Sequence, residues 1–433
     1  MKGYKKSKLS RYVLAALTVG MFSMVPMAYA LPVQDTTNTN TAGSAINTSV
    51  ANQMGITSTV ANNVMNWKTF SIANGEKVQF DTNNYLNLVR GTSKSEIDGN
   101  LSGGGNIYLI NPNGILFGTN ARVNVGNLVA STRAITDADQ TTFLAGNNPI
   151  TTNTAGSAAG DIVNLGKLQT TSVLLEGNNI TIQNAADITS DGSTPLTSTV
   201  TAKAAGIITV GHEVTATTTR SFTINGTATA ETVHDYKNAT VASSGYTGKK
   251  LDGTTDNAIK ESMLVDNVYD LQNMDAKLSS DAYHENTIGN YMLAGDIDAS
   301  DTENWNSGAG FSPVGSEKMF DGTFDGANHT IKGLYINRPT MDHVGLFGWI
   351  YTDTQPATIQ NVGLVKGSIA GQGSVGGVVG ESTSGTITNV YNTGTVSGTG
   401  EFVGGVVEYA YGGKITNAYN SGRLRSSNVI VRG

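Results

Sequence analysis

The 433-residue sequence contains no cysteine. Disulfides are the usual cross-links of small domains in oxidising compartments, so this fold must be stabilised in another way. The absence also excludes a cysteine nucleophile. About 400 residues are enough for a large hydrophobic core or for several domains.

Charged and aromatic residues are scarce as well, at 14% and 7% of the chain, whereas glycine occurs 52 times. Disordered chains usually combine high charge with few aliphatic residues. Here isoleucine, valine and leucine recur at short spacing, between uncharged residues that favour turns. This composition is typical of many short strands joined by tight turns.

The first 30 residues have the features of a secretory signal peptide. They begin with five basic and no acidic residues, continue with an apolar segment, and end with Ala28 and Ala30 at a small-residue cleavage site. Because the apolar segment is short for a bilayer, cleavage is favoured over the alternative of an uncleaved membrane anchor. The mature chain is expected to begin near Leu31.

Cleavage would lower the formal net charge from −7 to −12, because the leader carries five positive charges. An acidic protein is a poor partner for nucleic acid or for anionic lipid. No other segment of the sequence is long and apolar enough to form a transmembrane helix. We therefore expect a soluble, exported protein with no stable membrane span and no nucleic-acid partner.

Short β-prone runs separated by glycine, asparagine and aspartate fill most of the chain, and their length of roughly 4–7 residues is that of strands. Apolar residues alternate within the runs, as in Val123 and Val125 or Ile180 and Ile182. Such alternation places one face of each strand in a core. Strands this short can share a core when they stack as successive coils, so the pattern predicts an all-β solenoid.

Residues 256–280 interrupt this pattern. Six apolar residues recur there near helical spacing: Ile259, Met263, Leu264, Val268, Leu271 and Leu278. This spacing predicts one short helix. The polar stretch at 243–258 is interpreted as a linker, which places a domain boundary near residue 250.

A two-part repeat occupies the C-terminal part of the chain. Its first part occurs as "VGLFG" at 344–348, "VGGVVG" at 375–380 and "VGGVV" at 403–407. Its second part begins at Ile359, Ile387 and Ile415, with 28 residues between successive starts. In-phase copies indicate stacked coils rather than a flexible glycine-rich linker. Stacking would align the equivalent turn residues Asn389 and Asn417 in a ladder.

The chain ends at Gly433, soon after the third copy of the repeat. The end of a solenoid normally carries a cap of different sequence, and "SNVIVRG" does not provide one. We therefore expect this chain to be part of a longer protein.

The segment from Asn66 to about Ile135 resembles the N-terminal secretion domain of two-partner-secreted exoproteins, the filamentous haemagglutinin family. The similar stretches are "NWKTFSI", "SEIDGNLSGGGNIYLINPNGILFGTNARVNVGNLVAST" and "FLAGNNP". The family also carries an earlier Asn-Pro-Asn-Leu segment, whereas this sequence has "FDTNNYLNLVRG" there, without the proline.

The resemblance implies both an export route and a fold. The signal peptide takes such a protein across the inner membrane, and a partner outer-membrane barrel with periplasmic docking domains then recognises the secretion domain. The chain leaves unfolded and winds into a right-handed parallel β-helix outside the cell. Its mature surface typically mediates adhesion, here to an unidentified host or bacterial surface receptor, for which a glycan is one candidate.

The stretch "LINPNGILFG" contains the candidate secretion motif, formed by Asn111, Pro112, Asn113, Gly114 and Ile115. Pro112 fixes its own φ, disfavours helix at Asn111 and removes a backbone donor. Asn113 and Gly114 tolerate positive φ and complete a tight turn. Two interpretations stay open: the turn merely reverses the chain, or the partner barrel also recognises it.

A second resemblance, to the GLUG-type repeats of bacterial adhesins and some secreted proteases, is carried by "FDGTFDGANHTIKGLYI", "DHVGLFG", "VGGVVG" and "ITNVYNTG". The expected organisation is then a signal peptide at 1–30, a secretion domain at 31–250, a linker with a short helix at 251–290, and a β-solenoid of repeats at 291–433.

The sequence offers no recognisable constellation for catalysis, a cofactor or a metal. The five histidines lack paired spacing and are expected at the surface: His212, His234, His284, His329 and His343. The acidic stretch at 295–305 contains oxygen donors, but an EF-hand loop needs Gly and Glu where Asp301 and Ser307 stand. The stretch "FDGTFDG" at 320–326 is likewise interpreted as two solvated Asp-Gly turns, although Asp321 and Asp325 could hold an ion.

We therefore expect a secreted, cell-surface-associated adhesin and not an enzyme. The alternative is a secreted β-helix enzyme that acts on polysaccharide, for which carboxylates clustered on neighbouring coils would be needed. A distinct pocket would favour the enzyme, whereas uniform faces on the repeats would favour adhesion.

Overall fold

The computed structural model describes residues 31–150, 158–277, 289–316, 318–351, 357–400 and 402–426, together with the backbone of 430–432. The predicted signal peptide, its cleavage site at Ala28 and Ala30, and His284 lie outside the described residues. Within them the chain is mostly β-structure, and most strands pair in parallel with a strand of the next coil. The predicted parallel β-helix is confirmed.

The N-terminal coils end at residue 131. Their strands are β1 (Val33–Gln34), β2 (Ser44–Asn47), β3 (Gln53–Ser58), β4 (Asn62–Thr69), β5 (Lys77–Phe80), β6 (Asn84–Val89), β7 (Ser95–Ile97), β8 (Asn100–Ile110), β9 (Ile115–Phe117) and β10 (Arg122–Ser131). β1 is antiparallel to β4, and β2 and β3 form an antiparallel hairpin. From β3 onward these coils stack in parallel, as between β4 and β6 or β8 and β10.

The middle coils contain an inserted hairpin. Their strands are β11 (Ile162–Asn164), β12 (Lys167–Gln169), β13 (Ser172–Gly177), β14 (Ile180–Ile182), β15 (Ile188–Thr189), β16 (Val200–Ala204), β17 (Ile208–His212), β18 (Thr217–Ile224), β19 (Thr227–His234), β20 (Thr247–Lys249) and β21 (Ile259–Val265). β18 and β19 form an antiparallel pair outside the solenoid sheets. Asn225 and Gly226 join them with positive φ, as a tight two-residue hairpin turn requires.

The C-terminal coils carry the repeats. Their strands are β22 (Asn290–Leu293), β23 (Ile297–Asp298), β24 (Thr323–Asp325), β25 (Thr330–Lys332), β26 (Tyr335–Asn337), β27 (Phe347–Ile350), β28 (Thr358–Val365), β29 (Ser368–Gly371), β30 (Val375–Gly376), β31 (Val379–Ser382), β32 (Thr386–Asn392), β33 (Thr395–Gly398), β34 (Phe402–Gly404), β35 (Val407–Ala410), β36 (Lys414–Asn420), β37 (Leu424–Ser426) and β38 (Ile430–Arg432). Ile359, Ile387 and Ile415 pair in register, which confirms the predicted repeat phase.

Helices are few and short within the described ranges. They are α1 (Asp137–Leu144), α2 (Val268–Asn273) and 3-10 turns at Ala185–Asp187, Met274–Lys277, Ser300–Asn304 and Asn306–Gly308. None of them is long and apolar enough to cross a membrane.

The interior of the solenoid contains two main hydrophobic clusters, one built by the coils of residues 54–246 and one by the coils of residues 214–406. In the first cluster Leu101, Val123 and Leu168 stack directly above one another. Each such buried side chain stabilises the fold by about 1.5–3 kcal/mol. This stacked interior replaces the cross-links that a chain without cysteine lacks.

α1 covers part of the outer face of the first sheet and was not expected from the sequence. Phe143 of α1 packs edge-to-face on Tyr108, with ring centroids 5.3 Å apart. A capping box begins the helix, because Thr136 and Asp139 exchange side-chain hydrogen bonds with each other's backbone N–H. Only Asp139 and Phe143 of the helix are buried, so it has no apolar stripe for a periodicity argument to detect.

The helix predicted near 256–280 is present but shorter than expected, because Ile259–Val265 forms β21. Met263 and Val265 enter the core, while Leu264 packs outside the sheet against Met292. Both faces of the strand are therefore buried, and its continuous apolar run imitates a helix.

The stretch expected to be a linker belongs to the solenoid. β20 pairs in parallel with β16, and Tyr246 joins the first core cluster while its hydroxyl donates to the Ala185 carbonyl at 2.9 Å. Its polar, glycine-rich composition reflects turns on either side of a three-residue strand. The boundary near residue 250 consequently falls inside stacked coils.

Candidate functional site

The candidate secretion motif forms a corner of one coil. Gly114 N–H donates to the Asn111 carbonyl at 3.1 Å, which closes a β-turn with Pro112 in its second position. The turn connects β8 to β9, and these strands lie in different sheets. The turn therefore bends the coil from one sheet to the next and does not form a hairpin.

Asn111 is completely buried and its side chain holds the corner together. Its Nδ2 donates to the Ser93 carbonyl and to Ser95 Oγ, both at 3.0 Å. Its Oδ1 accepts from the backbone N–H and from Nδ2 of Asn113, again at 3.0 Å. Because these bonds lie inside the fold, a partner cannot reach the Asn111 amide without opening the corner.

Asn113 and Pro112 form the accessible part of the corner. The Asn113 side chain is exposed and Pro112 is half-buried. Asn113 Nδ2 also donates to the Gly91 carbonyl at 2.9 Å, which fixes its direction relative to the preceding coil. A partner would therefore contact a preformed polar surface.

Gly114 and Ile115 face the next coil rather than the solvent. Gly114 has a φ of +115°, and a Cβ on Gly160 would lie 2.3 Å from the Gly114 nitrogen. Ile115 is 2% exposed and its N–H donates to the Asp161 carbonyl at 3.0 Å. The five predicted residues thus share one corner, but three of them are buried.

Ser93, Ser95 and Gly91 supply hydrogen-bond partners to the corner and were not found by sequence reasoning. These three residues lie one coil before the motif. The length of that coil can be read from the sequence only through asparagines that recur at the same position of successive coils. Asn84 donates to Asn62 at 2.8 Å, and Asn127 donates to Asn106 at 2.6 Å. The intervals of 22, 22 and 21 residues between these asparagines were the available signal.

One candidate metal-binding group lies near the inserted hairpin. Within the described residues, His234, Asp266 and Asp270 place ligand atoms within 4.8 Å of one another. Asp270 is nearly buried and already accepts hydrogen bonds from His234 N–H and Asn267 Nδ2, both at 2.7 Å. These bonds make the group a local anchor for β19 and α2.

The acidic stretch at 295–305 does not converge on one point. Asp296 accepts from Thr330 N–H, Asp298 from Ser300 N–H, and Asp301 from Asn304 Nδ2. Asp325, which was expected in a solvated turn, is instead completely buried. Its carboxylate accepts bonds from Gln360, Asn361 and Ala327, while burial raises its pKa.

The histidines do not all lie at the surface as predicted. His329 is 8% exposed, with Nε2 at 2.7 Å from Nε2 of Gln183, and burial lowers its pKa. Because the Gln183 amide can only donate there, the facing nitrogen of His329 must be an unprotonated acceptor. This pairing makes His329 a structural residue.

Two family models match this chain: the TPS secretion domain over residues 30–290 and the GLUG motif over residues 371–397. The first match includes the segment at 251–290, for which the sequence predicts a linker with a short helix. Its extent agrees with the structure, in which β20 stacks on β16, β21 stacks on β17, and β22 stacks on β21.

Curated relatives share parts of this sequence. Halomucin of Haloquadratum walsbyi is 35% identical over 237 residues, which is 51% of this chain and 2% of halomucin. A heme/hemopexin-binding protein of Haemophilus influenzae is 28% identical over 163 residues, which is 36% of this chain and 18% of that protein. The chain thus spans a small part of the length of these relatives.

Among solved structures, the HMW1 secretion domain from Haemophilus influenzae is 15% identical, with a TM-score of 0.30 over 90% of this chain and 97% of that one. A filamentous hemagglutinin secretion domain is 11% identical, with a TM-score of 0.29 over 93% and 99%. Because the secretion-domain model matches more than half of its residues, this chain belongs to the TPS secretion domain family of two-partner-secreted exoproteins.

Proposed function

We propose that a partner outer-membrane barrel exports this protein after recognising the corner at 111–115, and that the repeat coils then act as an adhesin at the cell surface. Membership of the secretion-domain family supports the export route. The exposed Asn113, held in place by the buried Asn111 amide, and the half-buried Pro112 beside it support recognition at that corner.

A repeated outward face supports adhesion more than any other observation. Thr388 and Thr416 occupy the same position on successive strands, as do Tyr391 and Tyr419. The two tyrosine rings stack with centroids 5.1 Å apart and planes at 6°. The face therefore offers the same hydroxyl and phenol groups on β32 and β36, at the strand spacing of about 4.8 Å. On β28 the equivalent positions are Gln360 and Gly363.

Such a face suits attachment through many weak contacts. Each group forms only a modest hydrogen bond or ring contact, but regularly spaced copies can engage a repetitive receptor together. The groups are uncharged, so the acidic protein needs no basic receptor. A surface glycan matches this chemistry because its hydroxyls are also uncharged and repeated.

The export step is tested by producing the full chain with and without the candidate partner barrel. We expect the protein in the medium only when the barrel is present, with the chain retained in the periplasm otherwise. Release that is equal in both strains would contradict the proposed route.

The adhesion step is tested with beads that carry the purified chain. We expect Thr416→Ala combined with Tyr419→Ser to lower bead attachment to host or bacterial cells. Tyr419 is 48% exposed and is the outer ring of the stacked pair that it forms with Tyr391. Ser397→Ala combined with Arg425→Ser changes another sheet of the same coils and serves as the control. Equal attachment by the two variants would contradict a role for this face.

A further inference from the structure

A groove of about 440 Å³ crosses the outer face of the secretion domain, and its lining does not include the corner at 111–115. Its floor consists of outward-facing residues of β5, β8, β10 and β12, which stack in parallel. One wall is the segment that contains Asp187 and Gly192. Neither the export route nor the repeat face uses this groove.

Three cations lie in one row across the groove floor. Lys77 pairs with Asn100, Asn100 with Arg122, and Arg122 with Lys167, so all four share one register position. At a strand spacing of about 4.8 Å, the row spans about 14 Å. Among the residues that the structure describes, no carboxylate lies within 4.0 Å of these three cations.

The backbone just before β10 orients the Arg122 side chain. Its Nη1 donates to the Ala121 carbonyl at 2.8 Å and to the Thr119 carbonyl at 3.3 Å. The side chain nevertheless remains exposed, as does Lys167, while Lys77 is half-buried. The row is therefore accessible from the groove.

An uncharged row runs beside the cations. It contains Ser102, Asn124 and Gln169 at the next outward register position of the lining, with the largely buried Thr189 at its end. Amide and hydroxyl groups at every strand can donate and accept hydrogen bonds to a ligand that lies along the groove. The floor thus combines fixed positive charge with regularly spaced neutral polar groups.

The positive row lies in a chain whose formal net charge is −7. Asp187 is the carboxylate in the lining, and burial raises its pKa. Three cations against one carboxylate leave the groove positive in an acidic protein. The surrounding acidic surface would repel a ligand with closely spaced phosphates more strongly than one whose anionic groups are separated by neutral hydroxyls.

We propose that this groove binds an acidic polysaccharide, whose carboxylate or sulfate groups contact the row of Lys77, Arg122 and Lys167 and whose hydroxyls contact the uncharged row. The site goes beyond the adhesive role proposed for the repeats, because it lies on different coils and selects for negative charge. The two functions can consequently fail separately.

The test measures binding of the full chain to polygalacturonate, dextran sulfate and neutral dextran. We expect binding to an acidic polymer that weakens as salt rises, and none to neutral dextran. Comparison of the two acidic polymers distinguishes carboxylate from sulfate recognition. The triple variant Lys77→Gln, Arg122→Gln, Lys167→Gln should lose about tenfold in affinity, because it removes three charge contacts that are each weak at an exposed surface.

A matched variant controls for total charge. Lys68→Gln, Lys366→Gln and Lys414→Gln remove the same charge from exposed positions outside the groove and should leave affinity unchanged. Asp187→Asn should strengthen binding, because it removes the negative charge of the wall. Thermal unfolding confirms that each variant is folded.

Three results would overturn the proposal. The first is an absence of binding to both acidic polymers. The second is an equal loss of affinity in the groove variant and in the matched control, which would indicate an effect of total charge alone. The third is equally tight binding of double-stranded DNA with the same dependence on the three cations, which would make the groove a general polyanion site.

Discussion

The side-chain amide of Asn389 donates a 3.0 Å hydrogen bond to Oδ1 of Asn361 one coil earlier. Asn417 repeats this bond on Asn389 at 2.9 Å, so the ladder expected from the sequence exists. All three asparagines have φ between 50° and 55°, a left-handed conformation that asparagine tolerates better than most residues. The ladder starts at the buried Asp325, which accepts from Asn361 at 2.9 Å.

Replacement of Asn389 should destabilise the repeat coils for two separable reasons. Asn389→Ala removes both ladder bonds and puts alanine, which tolerates positive φ less well than asparagine, at this position, for an expected loss of about 1–3 kcal/mol in the free energy of unfolding. Asn389→Gly removes the bonds but relieves the backbone, so it should lose less. Urea unfolding measures both, with Thr388→Ala as the neighbouring control. Equal stability of all three variants would contradict a role for the ladder.

Replacement of Asn111 should weaken the fold before it affects any recognition. Asn111→Ala leaves the Ser93 carbonyl, Ser95 Oγ and Asn113 N–H without their partner inside the protein, which should cost about 2–4 kcal/mol. Urea unfolding of the purified chain measures this loss. An unchanged unfolding midpoint would show that water replaces the amide, and the corner would then be less rigid than its contacts indicate.

Replacement of Pro112 and Asn113 separates recognition from folding. Because these side chains are the accessible ones, Pro112→Ala combined with Asn113→Ala should lower export to the medium while changing the free energy of unfolding by about 1 kcal/mol or less. Asn120→Ala is a matched control, since Asn120 is also exposed in a turn and donates to Asp98 of the preceding coil. Normal export of the double variant would remove the recognition hypothesis.

The sequence predicts the repeat coils better than the secretion domain. Ile359, Ile387 and Ile415 recur at one fixed interval, and the structure stacks them in register. In the secretion domain the asparagines at 62, 84, 106 and 127 mark coils of 21 or 22 residues, but this interval does not identify the partners of Asn111, which lie 18 and 16 residues before it. The burial of Asn111 was unpredictable for this reason, because its partners Ser93 and Ser95 belong to the preceding coil.

The errors in secondary structure also have physical causes. β21 is buried on both faces, so its apolar run carries no alternation that distinguishes it from a helix. α1 gives the opposite failure, because it packs mainly through Phe143 and lacks an apolar stripe. In both elements, tertiary packing outside the solenoid core decides the structure, and a single sequence does not encode such packing as a local pattern.

Chelation should leave the stability of the protein unchanged. The carboxylates of Asp296, Asp298 and Asp301 each satisfy a separate local hydrogen bond, and Asp270 is already bonded by His234 N–H and Asn267. We therefore expect the same unfolding temperature with and without EDTA. A large decrease would show that a structural cation is bound, and addition of calcium or zinc would then identify it.

The stability of the junction between the two main cores should depend on pH. His212 Nε2 lies 2.7 Å from a carboxylate oxygen of Glu261, and Ser244 donates two further bonds to that carboxylate at 2.9 Å. Burial acts to raise the pKa of Glu261, but the hydrogen bonds from His212 and Ser244 outweigh it and hold the pKa below its ordinary 4.5. The ionised form of Glu261 therefore stabilises the folded protein.

The pKa of Glu261 is lower in the folded protein than in the unfolded chain. The ionised carboxylate therefore stabilises the fold fully at pH values above the unfolded-state pKa, and this stabilisation is lost as the pH falls through the folded-state pKa. Urea midpoints measured from neutral pH downward should consequently fall in acid. Glu261→Gln should lower the midpoint at neutral pH and reduce the acid-dependent fall. Glu303→Gln, at an exposed position, should keep the wild-type profile. Identical profiles for the two variants would place the acid sensitivity elsewhere in the solenoid.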